Sequence, residues 1–330
     1  MTRSCLCLFY IPRLISLLLL CTPVYGQRNA STFSFDHLTV DDGLSYTTVH
    51  ALLEDQLGII WAGTRFGLNR FDGYEFKVFL PDPKNPYAIK SQSVLTLWND
   101  EAGNIWIGHL NGGVSVLERT TGRFLRFPFT EDNTIDWNTI TVRSIFQDSR
   151  GNLWLGTYNA GTIVFDREYK KIAHFCTTCA PDNRRLNNDF VFDFQEDPGG
   201  RIWIGTAGKG ISMFDWSTDS LHTIHSDEGN DMDGFAKSLC LGTNGNLWVG
   251  TEGSGLYEID LQQLKVIDRF LPNPQTGKGL SNRRITDLVP DAYGKLWIAT
   301  DGGGLNYFDP STDEWKHYGY QPEFLNSLNS

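Results

Sequence analysis

The chain has 330 residues, a net charge of −11, 33 glycines, 10 tryptophans and 20% charged side chains. This composition argues against a coiled coil, a long charged helix or a disordered tail, and the acidic balance argues against nucleic acid or an anionic membrane as partner. A chain of this length suggests two domains unless a single all-β ring absorbs it.

In chain order, residues 1–26 have the make-up of a signal peptide. Arg3 and Arg13 bracket the approach to an apolar run at 14–20, and Val24-Tyr25-Gly26 leads to a cleavage point before Gln27. The run is too short to span a bilayer, and the bulky Leu20 beside Cys21 does not suit lipid attachment there. Residues 27–330 are therefore expected as an exported, periplasmic domain, and no second apolar run of about 20 residues follows to anchor it. Residues 33–38 read as the fourth strand of a unit whose first three strands are missing.

Beyond residue 40 the sequence repeats itself. Trp61, Trp106, Trp154, Trp203, Trp248 and Trp297 are spaced by 45, 48, 49, 45 and 49 residues, and each follows a glycine by three positions. Three residues before that glycine stand Asp55, Asp100, Asp148, Asp197 and Asp291, whereas the fifth copy has Gly242. An Asp side chain bonds N–H groups two residues on, and glycine supplies a positive φ, so Asp-x-x-Gly predicts a hairpin turn. In the third copy this turn joins a β-branched run at 142–147 to a strand at 153–157, with further strands at 161–166 and 171–175. A period of 40–50 residues with four short strands predicts an all-β fold, a β-propeller of four-stranded antiparallel blades.

Six complete copies fall near 43–79, 88–127, 137–175, 186–225, 234–270 and 279–318, and a seventh starts at 325–330. The strand at 33–38 needs a blade that these six do not supply, so a seven-bladed ring cut short is expected; a self-sufficient six-bladed ring is the alternative. The six repeated tryptophans are assigned to the gaps between blades. Burying about 150–250 Å² makes each worth at most about 4–6 kcal/mol. Cys176 and Cys179 are read as a local disulfide, with two free thiols as the alternative. No second Cys or His pair accompanies them, so neither a metal nor a cofactor is predicted.

Positions that agree in all copies build the ring, and positions that differ are free to carry function. The loop after the Trp strand varies through Arg65, His109, Tyr158, Lys209, Glu252 and Asp301, and the connections between blades vary through Trp137, Arg184 and Arg283. Both sets of loops open on one face of a propeller, around its central channel. Aromatic rings stack on sugar faces, and Arg or Asp bonds hydroxyls, so these nine residues are the ligand-binding candidates. The seven histidines are scattered, with no His-x-x-x-His, Gly-x-Ser-x-Gly or phosphate loop, so no catalytic residue is assigned. A secreted lyase or glycosidase acting on glycans is the alternative.

The phrases Asp42-Gly43-Leu44-Ser45, Trp61-Ala-Gly63-Thr64 and Gly67-Leu-Asn-Arg-Phe-Asp-Gly73, echoed at 153–157 and 296–300, resemble the two-component regulator propeller repeat over roughly residues 33–330. The resemblance implies a periplasmic sensor region of a hybrid two-component histidine kinase that responds to oligosaccharides from polysaccharide breakdown. The partners it implies are that ligand, a second propeller and β-sandwich of a longer sensor, and a second copy of the chain. The sequence departs from the family in stopping before any kinase motif, so this chain is expected to sense without catalysing.

Overall fold

A computed structural model describes residues 35–127, 135–179, 181–208, 210–225, 234–273, 275–276, 278–322 and 327–328. The signal expected at 1–26 and most of the seventh copy expected at 325–330 lie outside the described residues. Those described form 24 strands in six four-stranded antiparallel sheets, each paired in simple sequence order. The first, innermost strands are Val49–Glu54, Val94–Asn99, Val142–Gln147, Val191–Glu196, Ala236–Leu241 and Ile285–Pro290. Each packs beside the next in chain order around a central axis, so the described residues make a β-propeller with six blades.

The repeated motif has a structural reason at every position. Gly58, Gly103, Gly151, Gly200, Gly245 and Gly294 all sit at φ between 77° and 83°, which closes the hairpin between the first two strands. The turn aspartate does more than make the turn, because its second carboxylate oxygen takes the indole N–H of the tryptophan six residues on. That bond is 3.0 Å in the first three blades and 2.9 Å in the fourth. In the sixth, Asp291 accepts from the Tyr307 hydroxyl instead. In the fifth, Gly242 offers no carboxylate, and the buried Trp248 Nε1 has no partner. A Trp154→Phe change removes a satisfied donor and leaves Asp148 Oδ2 with only the Asn152 amide, whereas Trp248→Phe removes an unsatisfied one. Urea unfolding is expected to show Trp154→Phe costing more, by about 1–3 kcal/mol; equal losses would mean the Asp–indole bond is idle.

The tryptophan points toward the following blade. Trp154 packs with Ile202, Ile204 and Phe214, and Trp248 with Leu296, Ile298 and Phe308. The glycine two residues later, in Trp-x-Gly, lets that blade approach: a Cβ on Gly63 would lie 2.5 Å from Val94, and one on Gly205 would lie 2.6 Å from the Ala236 carbonyl. The sixth copy carries Ala299 there.

The sixth copy is also where the packing stops. Among the described residues, the inner strand of blade six is not packed on that of blade one as the other neighbours are. Trp297 is half-buried, whereas the other five are buried. On blade one Leu52 is 69% exposed, although Ile145, Phe194, Leu239 and Leu288 at the same register are buried. Residues 35–38 of the strand expected at 33–38 carry no ladder, and Phe35 meets Tyr318 of blade six edge-on at 6.2 Å.

Each inner strand carries a bulge after its first residue, as where Val49 pairs with Thr64 but Ala51 with Gly63. The first residue packs on the preceding blade, and the third reaches the next. Asp193 accepts from the N–H of Leu239, and Ser238 from that of Leu288, at 2.8 and 3.1 Å. Burial pushes the Asp193 carboxyl up to about 7, with nearby Asp287 adding to the rise, although its two backbone N–H bonds oppose it. Its folded value thus lies above the ordinary 3.8, so native stability is favoured at low pH and lost as pH rises from about 4 to about 7. Asp193→Ser copies the residue of blade five and removes the titration. The melting temperature of the parent relative to this variant is expected to fall across that window, and a constant difference would contradict it.

Candidate functional site

The central channel has two mouths of different chemistry. At the hairpin end lies a cavity of about 940 Å³ whose walls include Trp98, Phe146 and Gln195. Its carboxylates are largely committed. Asp100, Asp148 and Asp197 hold the indoles, and Glu196 accepts from the Ser149 hydroxyl and N–H at 2.6 Å each.

At the other end, the loops after the second strands meet the residues entering the inner strands. Tyr158 is 49% exposed and lies 4.5 Å from the ring of Phe190; Phe235, also exposed, is 6.1 Å from Phe192. The bulge turns the second residue of each inner strand out of the ladder, toward the axis. These residues are His50, Leu95, Arg143, Phe192, Lys237 and Thr286. Lys237 pairs with Glu252 at 2.8 Å, and Arg284 bridges Glu252 and Asp301 at 3.7 and 2.5 Å. Arg143 has no carboxylate or carbonyl partner among the described residues, and burial holds its guanidinium below the usual value. His50 is held down by burial and then by Arg143 and Arg65. Blade two separates His50 from Arg143, so the two influence each other across the axis.

The nine candidates from the sequence are not one cluster. Arg65 and Tyr158 are exposed at the loop-side mouth, where Glu252 and Asp301 take part in the ion pairs just described. Arg283 is exposed beside them, its carbonyl bonded by the N–H groups of Gly253 and Gly255. Lys209 lies outside the described residues. His109 is fully buried, its Nε2 is 2.9 Å from the Ser115 hydroxyl, and burial lowers it to about 4, so it is a core residue with no face toward solvent. Trp137 is half-buried on Phe165 at 6.1 Å.

Arg184 lies away from the channel, paired with Asp219 in the turn before the outer strand of blade four. The connection between blades three and four runs down that outer edge before turning inward. Tyr87 does the same on blade two, where its carbonyl takes the Phe124 N–H. These linkers cover edges that would otherwise offer unpaired backbone groups. Cys176 and Cys179 are bonded to each other at 2.07 Å, and Cys240 is buried.

The two component regulator propeller family matches residues 43–66, 136–159, 185–208 and 279–302, the opening segments of blades one, three, four and six. Histidine kinase P4 of Formosa agariphila is 42% identical over 59 residues, which is 18% of this chain and 4% of that kinase. Among solved structures, the extracellular domain of a hybrid two component system from B. thetaiotaomicron aligns with a TM-score of 0.50 at 22% identity. The alignment covers 84% of this chain and 42% of that one. Virginiamycin B lyase from Staphylococcus aureus aligns with a TM-score of 0.62 at 13% identity over 83% and 84% of the two chains. Both likenesses establish the fold. The chain is a β-propeller, four of whose blades open on segments that match the two component regulator propeller repeat.

Proposed function

We propose that the chain is the exported, periplasmic sensor propeller of a hybrid two-component system and responds to oligosaccharides released from polysaccharides. The match of four blades to a repeat family named for such regulators carries this reading, and the 59-residue likeness to a histidine kinase supports it. The chain covers a small fraction of that kinase, so phosphotransfer belongs to the longer protein in this reading. The loop-side mouth, with its exposed aromatic rings, supplies the sugar-binding chemistry. The open flanks at Leu52 and Trp297 favour a seventh blade between blades six and one, begun by residues 325–330 and completed by the N-terminal strand. The lyase alternative has only the shared fold behind it.

Deleting residues 35–330 in frame from the gene in its host, then measuring transcripts during growth on a panel of polysaccharides, tests the proposal. Loss of induction of glycan-degradation genes on one substrate is expected. Unchanged induction on every substrate would refute it.

A further inference from the structure

The loop-side mouth contains a cation that the fold does not explain. Arginine is ordinarily found in a bidentate pair when it is taken out of water, because an unpaired buried charge is costly. Arg143 is half-buried on the inner strand of blade three, and no described residue pairs with it. The other channel-facing cation, Lys237, is neutralised by Glu252. Across the axis stands His50, which burial and then Arg143 and Arg65 hold toward its neutral form, so Arg143 and Arg65 supply the positive charge here. The carboxylates of the opposite mouth repel anions, so an acidic ligand has one favourable entrance.

The mouth that holds Arg143 also carries aromatic rings open to solvent, running from Tyr158 and Phe190, 4.5 Å apart, to Phe235 on the next inner strand's approach. Tyr158, close to Arg143, is 49% exposed, and Phe190 and Phe235 are 37% and 43% exposed. Such rings cost free energy in water unless something covers them. A ring face with a charged group at its edge fits this pairing of stacking surface and guanidinium.

We propose that the loop-side mouth binds an anionic sugar, with its carboxylate or sulfate on Arg143 beside His50 and Arg65, and its ring on Tyr158, Phe190 and Phe235. The inference rests on the reading of the chain as a glycan sensor and narrows it to acidic glycans.

The test is calorimetric titration of the chain at low salt, where the Debye length is long, with glucuronate, glucose 6-sulfate, inorganic sulfate and glucose. Glucuronate or glucose 6-sulfate is expected to bind at least tenfold more tightly than glucose, and the stronger of the two identifies the acidic group. Arg143→Gln is expected to weaken that binding at least tenfold and leave the glucose titration unchanged. If Arg143→Gln does not fold by circular dichroism, the double variant Arg65→Gln/His50→Gln is expected to weaken it at least threefold. Acid sugars that bind no better than glucose, acid-sugar binding unaffected by these variants, or binding of inorganic sulfate alone would each overturn the inference. A neutral oligosaccharide that binds while the acid sugars do not overturns it and leaves the sensor reading standing. Acid sugars that bind while the host deletion changes no transcript overturn the sensor reading and leave this site standing.

Discussion

Trp154→Ala is expected to lower the melting temperature by roughly 6–20 °C. Trp154 is fully buried, with Phe175, Phe194, Phe214 and Trp216 all within 6.0 Å between ring centroids. Phe175, Phe194 and Phe214 belong to paired strands of blades three and four, and Trp216 directly follows one, so they cannot collapse into the space left. A large-to-small change of this kind costs about 3–5 kcal/mol, and each kcal/mol is worth about 2–4 °C in a domain of this size class. Trp297 occupies the same place in its blade but is only half-buried, so Trp297→Ala is expected to lose less than half as much. Differential scanning calorimetry on both variants checks the pair. Equal losses would mean that blade six is covered as fully as blade three.

Gly205→Val is expected to cost about 3 kcal/mol in urea unfolding. The added Cβ would sit 2.6 Å from the carbonyl oxygen of Ala236, a backbone atom of the adjoining blade's inner strand. Backbone in a packed ladder cannot retreat as a flexible side chain can, so the two blades must separate. At Gly108 a Cβ would lie 2.8 Å from the Val142 carbonyl, whereas at Gly63, Gly156 and Gly250 it would meet side chains of the next blade at 2.5–2.8 Å. Ala299, at the open flank, already carries the Cβ, and Ala299→Val is expected to cost less than about 1 kcal/mol. A tolerant Gly205 would show that inter-blade approach does not set these positions.

The ring was legible because its hairpin turns and keystone tryptophans recur in register, and a repeat reports the same packing problem six times. The second job of the turn aspartate was hidden, since the Asp–indole bond joins residues six apart and follows only once strand geometry is known. His109 could have been placed correctly. Counted from Trp106 it occupies the position held by Thr64, Thr157, Thr206, Thr251 and Thr300, all in or near the core. Arg184 could not, because the linkers lack periodicity and nothing local shows that they run along outer blade edges. His50, Arg143, Phe190 and Phe235 were passed over because they lie within or beside strands. Only the bulge, invisible to simple alternation, turns the second inner residue toward the axis.

The central claim is that this propeller holds a glycan without transforming it. Calorimetric titration of the chain against a panel of neutral and acidic oligosaccharides, with chromatography of each glycan afterwards, tests that most directly. Saturable binding of one glycan class, recovered intact, is the predicted result; cleavage of any member of the panel, or binding of none, would contradict it.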